Sequence, residues 1–198
     1  MAQDSRLRVR SLMWGPEMVW RVTGRERLRR IVVRRAPSKE SRGVLAARGV
    51  RAEAALGRSG IAHHKREGDG RTPTGRFRLV AVYYRPDRVG RPPTALPVAA
   101  IRPDLGWCDD PADRWYNRPV RLPYPAHHER LWRNDRLYDI VVVLDFNLAR
   151  PRRGAGSAIF LHIADPELAP TEGCIAVGES DMRRLLACAG PRTIVDVR

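Results

Sequence analysis

AIFLHIADPELAPTEGCIAVGESDMRRLL, residues 158–186, is the stretch whose reading decides the architecture. It opens inside a mostly apolar run, Ser157 to Ile163, that has the length of a strand and, after its first residue, carries one polar side chain, His162. Short apolar runs bounded by turn residues read as buried strands. A turn rich in proline and glycine follows, and Cys174 leads into Ile175-Ala176-Val177. From Ser180 to Ala189 the period changes. Met182, Leu185, Leu186 and Ala189 recur at helical spacing, and Gly190-Pro191 stops the helix.

Outward from this unit the chain supplies strands and no second clear helix. Ile31-Val32-Val33, Phe77 to Tyr84, Leu137 to Leu144 and Thr193 to Val197 all have strand character. Val50 to Leu56 alternates apolar with polar, although its alanines also allow a helix. Ala36–Gly43 and Gly57–Gly75 read as loops, and residues 86–130 are dense in proline and aromatics with little periodicity. Long irregular stretches inside a domain tend to be walls or lids of a site. The sum is a mostly β domain (β-rich α+β) with one helix after the cysteine. A length of 198 residues favours one domain plus a tail. Residues 1–27 read as a basic, poorly ordered arm and 28–198 as the folded domain.

The formal net charge is +15, nearly all of it arginine, since Lys39 and Lys65 are the only lysines. Such a field draws anionic partners, but the arginines are dispersed and no nucleic-acid motif accompanies them. Specific nucleic-acid binding is therefore not expected, and a non-enzymatic basic binder is the weakest of the readings. The three cysteines, Cys108, Cys174 and Cys188, contain no C-x-x-C pair, which argues against a zinc ribbon or a dithiol redox site. His63-His64 and His127-His128 have no carboxylate at ligand spacing, so metal binding is not expected. No run approaches a membrane span, and the N-terminus lacks the apolar segment of a signal peptide.

Chemistry concentrates on His162 and Cys174. A thiol with an ordinary pKa of about 8.5 is mostly protonated at neutral pH and needs a base. A histidine on a rigid strand is a suitable one. Gly173 lets a substrate approach the backbone, and successive N–H groups there suit an oxyanion. Spacing alone is weak, because buried free cysteines commonly act as small hydrophobes. Cys108 and Cys188 suit that plainer role.

Two motifs add to this pair. Thr72-Pro73-Thr74-Gly75-Arg76-Phe77, within GDGRTPTGRF, precedes a strand, and Thr171-Glu172-Gly173-Cys174 lies between the strand histidine and the helix. Together and in this order they resemble the L,D-transpeptidase (YkuD-type) catalytic domain, in a compact bacterial form, over about residues 28–198. The resemblance implies a β-sandwich or barrel with a helix after the cysteine. It further implies a cysteine acyltransferase acting on peptidoglycan stem peptides in cell-wall crosslinking or remodelling, without a cofactor. Cys174 would be the nucleophile, His162 the base, and Thr171 and Gly173 the turn that shapes the site. If water replaces the acceptor amine, the same site is an L,D-carboxypeptidase. The sequence departs from many members in carrying Glu172 where they have histidine and Ala176 where they have arginine.

Trp107, Trp115, Tyr116 and Asn117 are candidates to wall a substrate groove, with packing of loop on core as the alternative. Asp109, Asp110 and Asp113 either meet substrate amines or pair with Arg102, Arg114 and Arg118. Thr72 to Phe77 reads as scaffold. A monomer is expected. A wall substrate implies the cell envelope, while the missing signal peptide keeps the cytoplasm open.

Overall fold

The computed structural model describes residues 27–198, so the basic arm of residues 1–27, apart from Arg27, lies outside the described residues. The chain opens with three strands, β1 (Arg30–Ala36), β2 (Lys39–Ala47) and β3 (Val50–Ala55), joined by tight turns. Two short strands follow, β4 (Ile61–Ala62) and β5 (Thr72–Pro73), and then the long β6 (Gly75–Tyr84). Next come β7 (Val98–Ala100), β8 (Leu105–Cys108), β9 (Arg118–Arg121), β10 (His128–Arg130) and β11 (Ile140–Leu144). The chain ends with β12 (Phe160–Ile163), β13 (Ile175–Val177), helix α1 (Glu179–Cys188) and β14 (Ile194–Val197).

The main sheet runs β11-β12-β13-β3-β2-β1-β14-β6-β7, and a further pairing of β11 with β6 closes eight of these strands into a ring. The architecture is thus mostly β and barrel-like, with one helix. Closure removes most free sheet edges. Its interior holds one apolar cluster to which α1 contributes Met182, Leu185 and Leu186, the residues whose spacing marks the helix in the sequence.

Three loop readings need correction. Gly57–Gly75 contains the short parallel pair β4–β5, with Ile61 opposite Thr72. The hairpin between β1 and β2 turns in two residues, and β2 runs through Arg42 and Gly43. Gly43 is there for close packing, since a Cβ would lie 2.8 Å from both the Arg34 carbonyl and Leu56 Cδ1. Residues 86–130 contain a small sheet of order β10-β8-β9 as well as β7. These strands have three or four residues each, too few to show a period.

That small sheet covers the outer face of β11 and β12. Trp107 of β8 packs edge-on against Phe160 of β12, with ring centroids 5.1 Å apart. β11 is therefore buried on both faces. Ile140, Val142 and Leu144 point into the barrel, and Val141 and Val143 into the outer cluster. This accounts for its continuous apolar sequence.

Candidate active site

The two-residue period of a strand assembles the site. In β12, Leu161 and Ile163 enter the barrel core, so Phe160 and His162 face outward. In β13, Ile175 and Val177 enter the core, so Cys174 and Ala176 face outward. The two strands are parallel, with Leu161 opposite Ile175 and His162 opposite Ala176. Cys174 and His162 thus share one sheet face, and both line a cleft of about 390 Å³.

The nucleophile turn is tied down from three sides. Thr171 Oγ1 donates to the Cys174 carbonyl at 2.6 Å and accepts the Gly173 N–H at 3.2 Å. The Thr171 backbone is bonded on both sides to residues 56–58, through Leu56 O (2.9 Å) and Arg58 N (2.8 Å). Thr72 of β5 also reaches the Cys174 carbonyl at 3.5 Å, while its oxygen accepts the Gly57 N–H at 2.9 Å. The TPTG motif is therefore scaffold that packs directly beneath the cysteine. Gly173 has φ +137°, and a Cβ there would lie 2.7 Å from the Arg71 carbonyl, so only glycine fits. Its N–H is already engaged by Thr171, which leaves Cys174 N–H as the turn's candidate oxyanion donor.

Cys174 Sγ donates to the Ala158 carbonyl at 3.1 Å and accepts the Phe160 N–H at 3.4 Å. Burial pushes the thiol up to about 12, and the Glu129 carboxylate adds to this; the Phe160 N–H, Lys65 and Arg133 pull the other way. His162 is buried against the Tyr138 ring, centroids 5.2 Å apart, and its Nδ1 lies 2.8 Å from the Ile163 carbonyl. A carbonyl only accepts, so Nδ1 carries the hydrogen and Nε2 is the basic atom. Burial draws the imidazole down to about 4, against the pull of the Ile163 carbonyl. Thiol and imidazole are both neutral at rest.

Of the four aromatic and amide candidates, none lines the cleft. Trp107, Tyr116 and Asn117 are buried behind it, and Trp115, 38 % exposed, lies away from it. Asn117 instead organises the backbone. Its Oδ1 accepts Trp107 Nε1 (2.9 Å) and the Ala158 N–H (3.0 Å), and its Nδ2 donates to the Phe146 (3.2 Å) and Asn147 (2.8 Å) carbonyls. Asn117 thereby fixes Ala158, the residue whose carbonyl holds the thiol. Tyr116 hydroxyl donates to Glu67 and accepts the Gly156 N–H at 3.1 Å.

The three aspartates also resolve. Asp109 lines the cleft and pairs with His127 at 2.5 Å. Asp110 accepts the Ala112 N–H (2.9 Å), and Asp113 accepts the Trp115 N–H (2.6 Å) and the Tyr124 hydroxyl (2.8 Å). Arg102 pairs with Asp104 at 3.1 Å instead. No group of three or more His, Cys, Asp or Glu among the described residues is arranged to hold a metal ion. His63 Nδ1 shares a hydrogen bond with Thr74 Oγ1 at 3.0 Å, and His128 Nδ1 donates to the Ala126 carbonyl at 2.8 Å. No helix among the described residues is long and apolar enough to cross a membrane.

Sequence reasoning missed Tyr138, Glu129, Arg133 and Lys65, which complete the cleft. Lys65 left one clue, as one of two lysines in an arginine-rich chain. The family model for the L,D-transpeptidase catalytic domain (YkuD) matches residues 29–197. Comparison with curated proteins and with solved structures returns no match.

Proposed function

The chain belongs to the L,D-transpeptidase catalytic-domain family, and on that premise we propose that Cys174 is the nucleophile and His162 the base of acyl transfer on peptidoglycan stem peptides. Sγ attacks the carbonyl carbon of the third stem residue while its proton passes to His162 Nε2. Collapse of the tetrahedral adduct breaks the C–N bond to the terminal residue, whose amine takes that proton as it leaves. The thioester is then resolved by an amine, giving a crosslink or an exchanged stem, or by water. The Cys174 N–H offers a hydrogen bond to the oxyanion.

One observation carries this reading. A thiol and a neutral imidazole with its Nδ1 committed to a carbonyl share a sheet face and a cleft. Since thiol and imidazole are both neutral, proton transfer accompanies attack instead of preceding it.

The test is acylation by a carbapenem, read by intact mass and peptide mapping. The wild type gains one adduct at Cys174, and Cys174→Ala gains none while keeping its fold. No adduct, or an adduct at Cys108, defeats the proposal. Cys108 is a fair control because burial pushes its thiol up to about 11. The substrate of this reading lies in the cell envelope, so the protein acts there, and fractionation with N-terminal sequencing checks it.

A further inference from the structure

Glu129 is an acidic residue of the cleft that the reaction above leaves without a role. It stands in β10 opposite Trp107 of β8 and lines the cleft with Cys174, His162 and Tyr138. Its side chain is 27 % exposed. Oε1 accepts the Tyr138 hydroxyl at 2.6 Å and lies 3.6 Å from Arg133 Nη1. Both contacts use Oε1, so neither occupies the second oxygen of this cleft-lining residue. Arg133 is more firmly committed to Asp135, at 2.6 to 3.0 Å, and its Cζ sits 5.0 Å over the Tyr138 ring. Lys65, another cation lining the cleft, is held by Asp69 and by the Arg66 carbonyl at 2.9 Å. Neither cation therefore fully neutralises Glu129.

A carboxylate at this place opposes formation of a thiolate at Cys174. A cation brought by the substrate reverses that opposition. We propose that Glu129 is a specificity-determining residue that binds a primary ammonium group of the substrate, and that this binding relieves the electrostatic opposition to attack by Cys174. The inference rests on the nucleophilic role of Cys174 proposed above. Around Glu129 stand Arg133, Tyr138, Asp109 and Asp135. Burial raises its carboxyl above the ordinary carboxylate range, while the Tyr138 hydroxyl and Arg133 pull it down. A bound ammonium adds to the downward pull and keeps the carboxylate ionised. A compact ammonium with three donors suits one carboxylate oxygen beside an existing guanidinium.

In a stem-peptide reaction the ammonium has two sources, the side chain of a diamino acid in the donor or a non-reacting amine of the acceptor. Two arms separate them. In the first, tetrapeptides whose third residue carries a free or an N-acetylated side-chain amine are compared for release of the terminal residue without acceptor. In the second, the thioester is resolved by an acceptor with one amine or with two. The wild type should favour the free amine in one arm by about tenfold or more in kcat/KM. Glu129→Gln should lose that preference. In the absence of any peptide, Glu129→Gln should also react faster than wild type with iodoacetamide at Cys174, an acceleration that a merely structural role does not give.

Indifference of the wild type to amine acetylation and to acceptor amines overturns the proposal. So does a preference that survives in Glu129→Gln, or alkylation that is no faster in a folded variant. Should the variant not fold, the wild-type comparison decides alone. Failure of carbapenem acylation at Cys174 would instead defeat the underlying reading, which keeps the two failures apart.

Discussion

His162 offers the sharpest quantitative test, because the burial that keeps its imidazole neutral also makes the fold acid-sensitive. In the unfolded chain its imidazole titrates near 6.5, and in the fold burial lowers this to about 4. Between those values the unfolded chain binds a proton that the folded chain refuses. The stability present above about pH 6.5 is therefore lost as pH falls toward 4, and no further loss comes from this group below that. At about 1.36 kcal/mol per pKa unit, the separation is worth about 3 kcal/mol. Gln at this position keeps polar groups and cannot protonate. Urea unfolding of wild type and His162→Gln, followed by tryptophan fluorescence at pH 7 and pH 4, isolates the effect from the carboxylates common to both. Wild type should lose about 3 kcal/mol more than the variant over this interval. Equal losses would refute the assignment of a buried, neutral imidazole. The same physics predicts that the acid limb of kcat/KM lies well below the usual histidine range, because the base stays unprotonated.

Other perturbations test the support of the site. Asn117→Ala strands the Trp107 indole N–H and the Ala158 N–H, each worth about 1–3 kcal/mol when left unpaired. Its melting temperature should drop, and surviving protein should acylate with carbapenem more slowly because Ala158 no longer holds the thiol. Gly173→Ala should cost about 1–3 kcal/mol from the backbone conformation alone, with the Arg71 carbonyl contact adding to it, as read by chemical denaturation. Trp115→Ala should leave KM for a tetrapeptide within about twofold, since surface changes away from a site usually matter little. A large rise in KM would return Trp115 to the substrate groove.

What the sequence revealed depended on whether a signal was local. β11 was legible because burial on both faces leaves an unbroken apolar run, β12 because His162 alone interrupts one, and α1 because three buried residues repeat at helical spacing. Cys174 and His162 stood out as candidates because one follows a Pro- and Gly-containing turn just before β13 and the other is a polar residue inside the apolar β12. β2 was hidden by Pro37 and Ser38, which mark only the two-residue turn before it, and by Gly43, which serves packing inside the strand. Closure of the ring by the β11–β6 pairing joins residues some sixty apart, such as Val141 and Tyr83, and leaves no periodic trace.

The aromatic cluster at residues 107–117 shows why composition misleads about a binding wall. Trp107 and Asn117 are polar-edged side chains whose partners are each other and the backbone at Phe146, Asn147 and Ala158, so their hydrogen-bonding groups are consumed inside the protein. Ala158 has φ +49°, a conformation L residues rarely adopt, and Asn117 holds it there. Its carbonyl then accepts the thiol of Cys174. The pair thus bears on chemistry through the backbone, one step removed from any ligand. The cleft itself is walled instead by Glu129, Arg133 and Tyr138, from the short stretch 129–138, and by Lys65, more than sixty residues earlier. A resting site with a neutral thiol and a neutral imidazole must separate charge only when a substrate arrives. Burial alone makes that separation costly, so in the proposed reaction rate would depend on what the substrate brings to the charges lining the wall. Reactivity and selectivity are then one property of this cleft, and a substrate that leaves Glu129 unpaired should be slow even when its carbonyl is well placed.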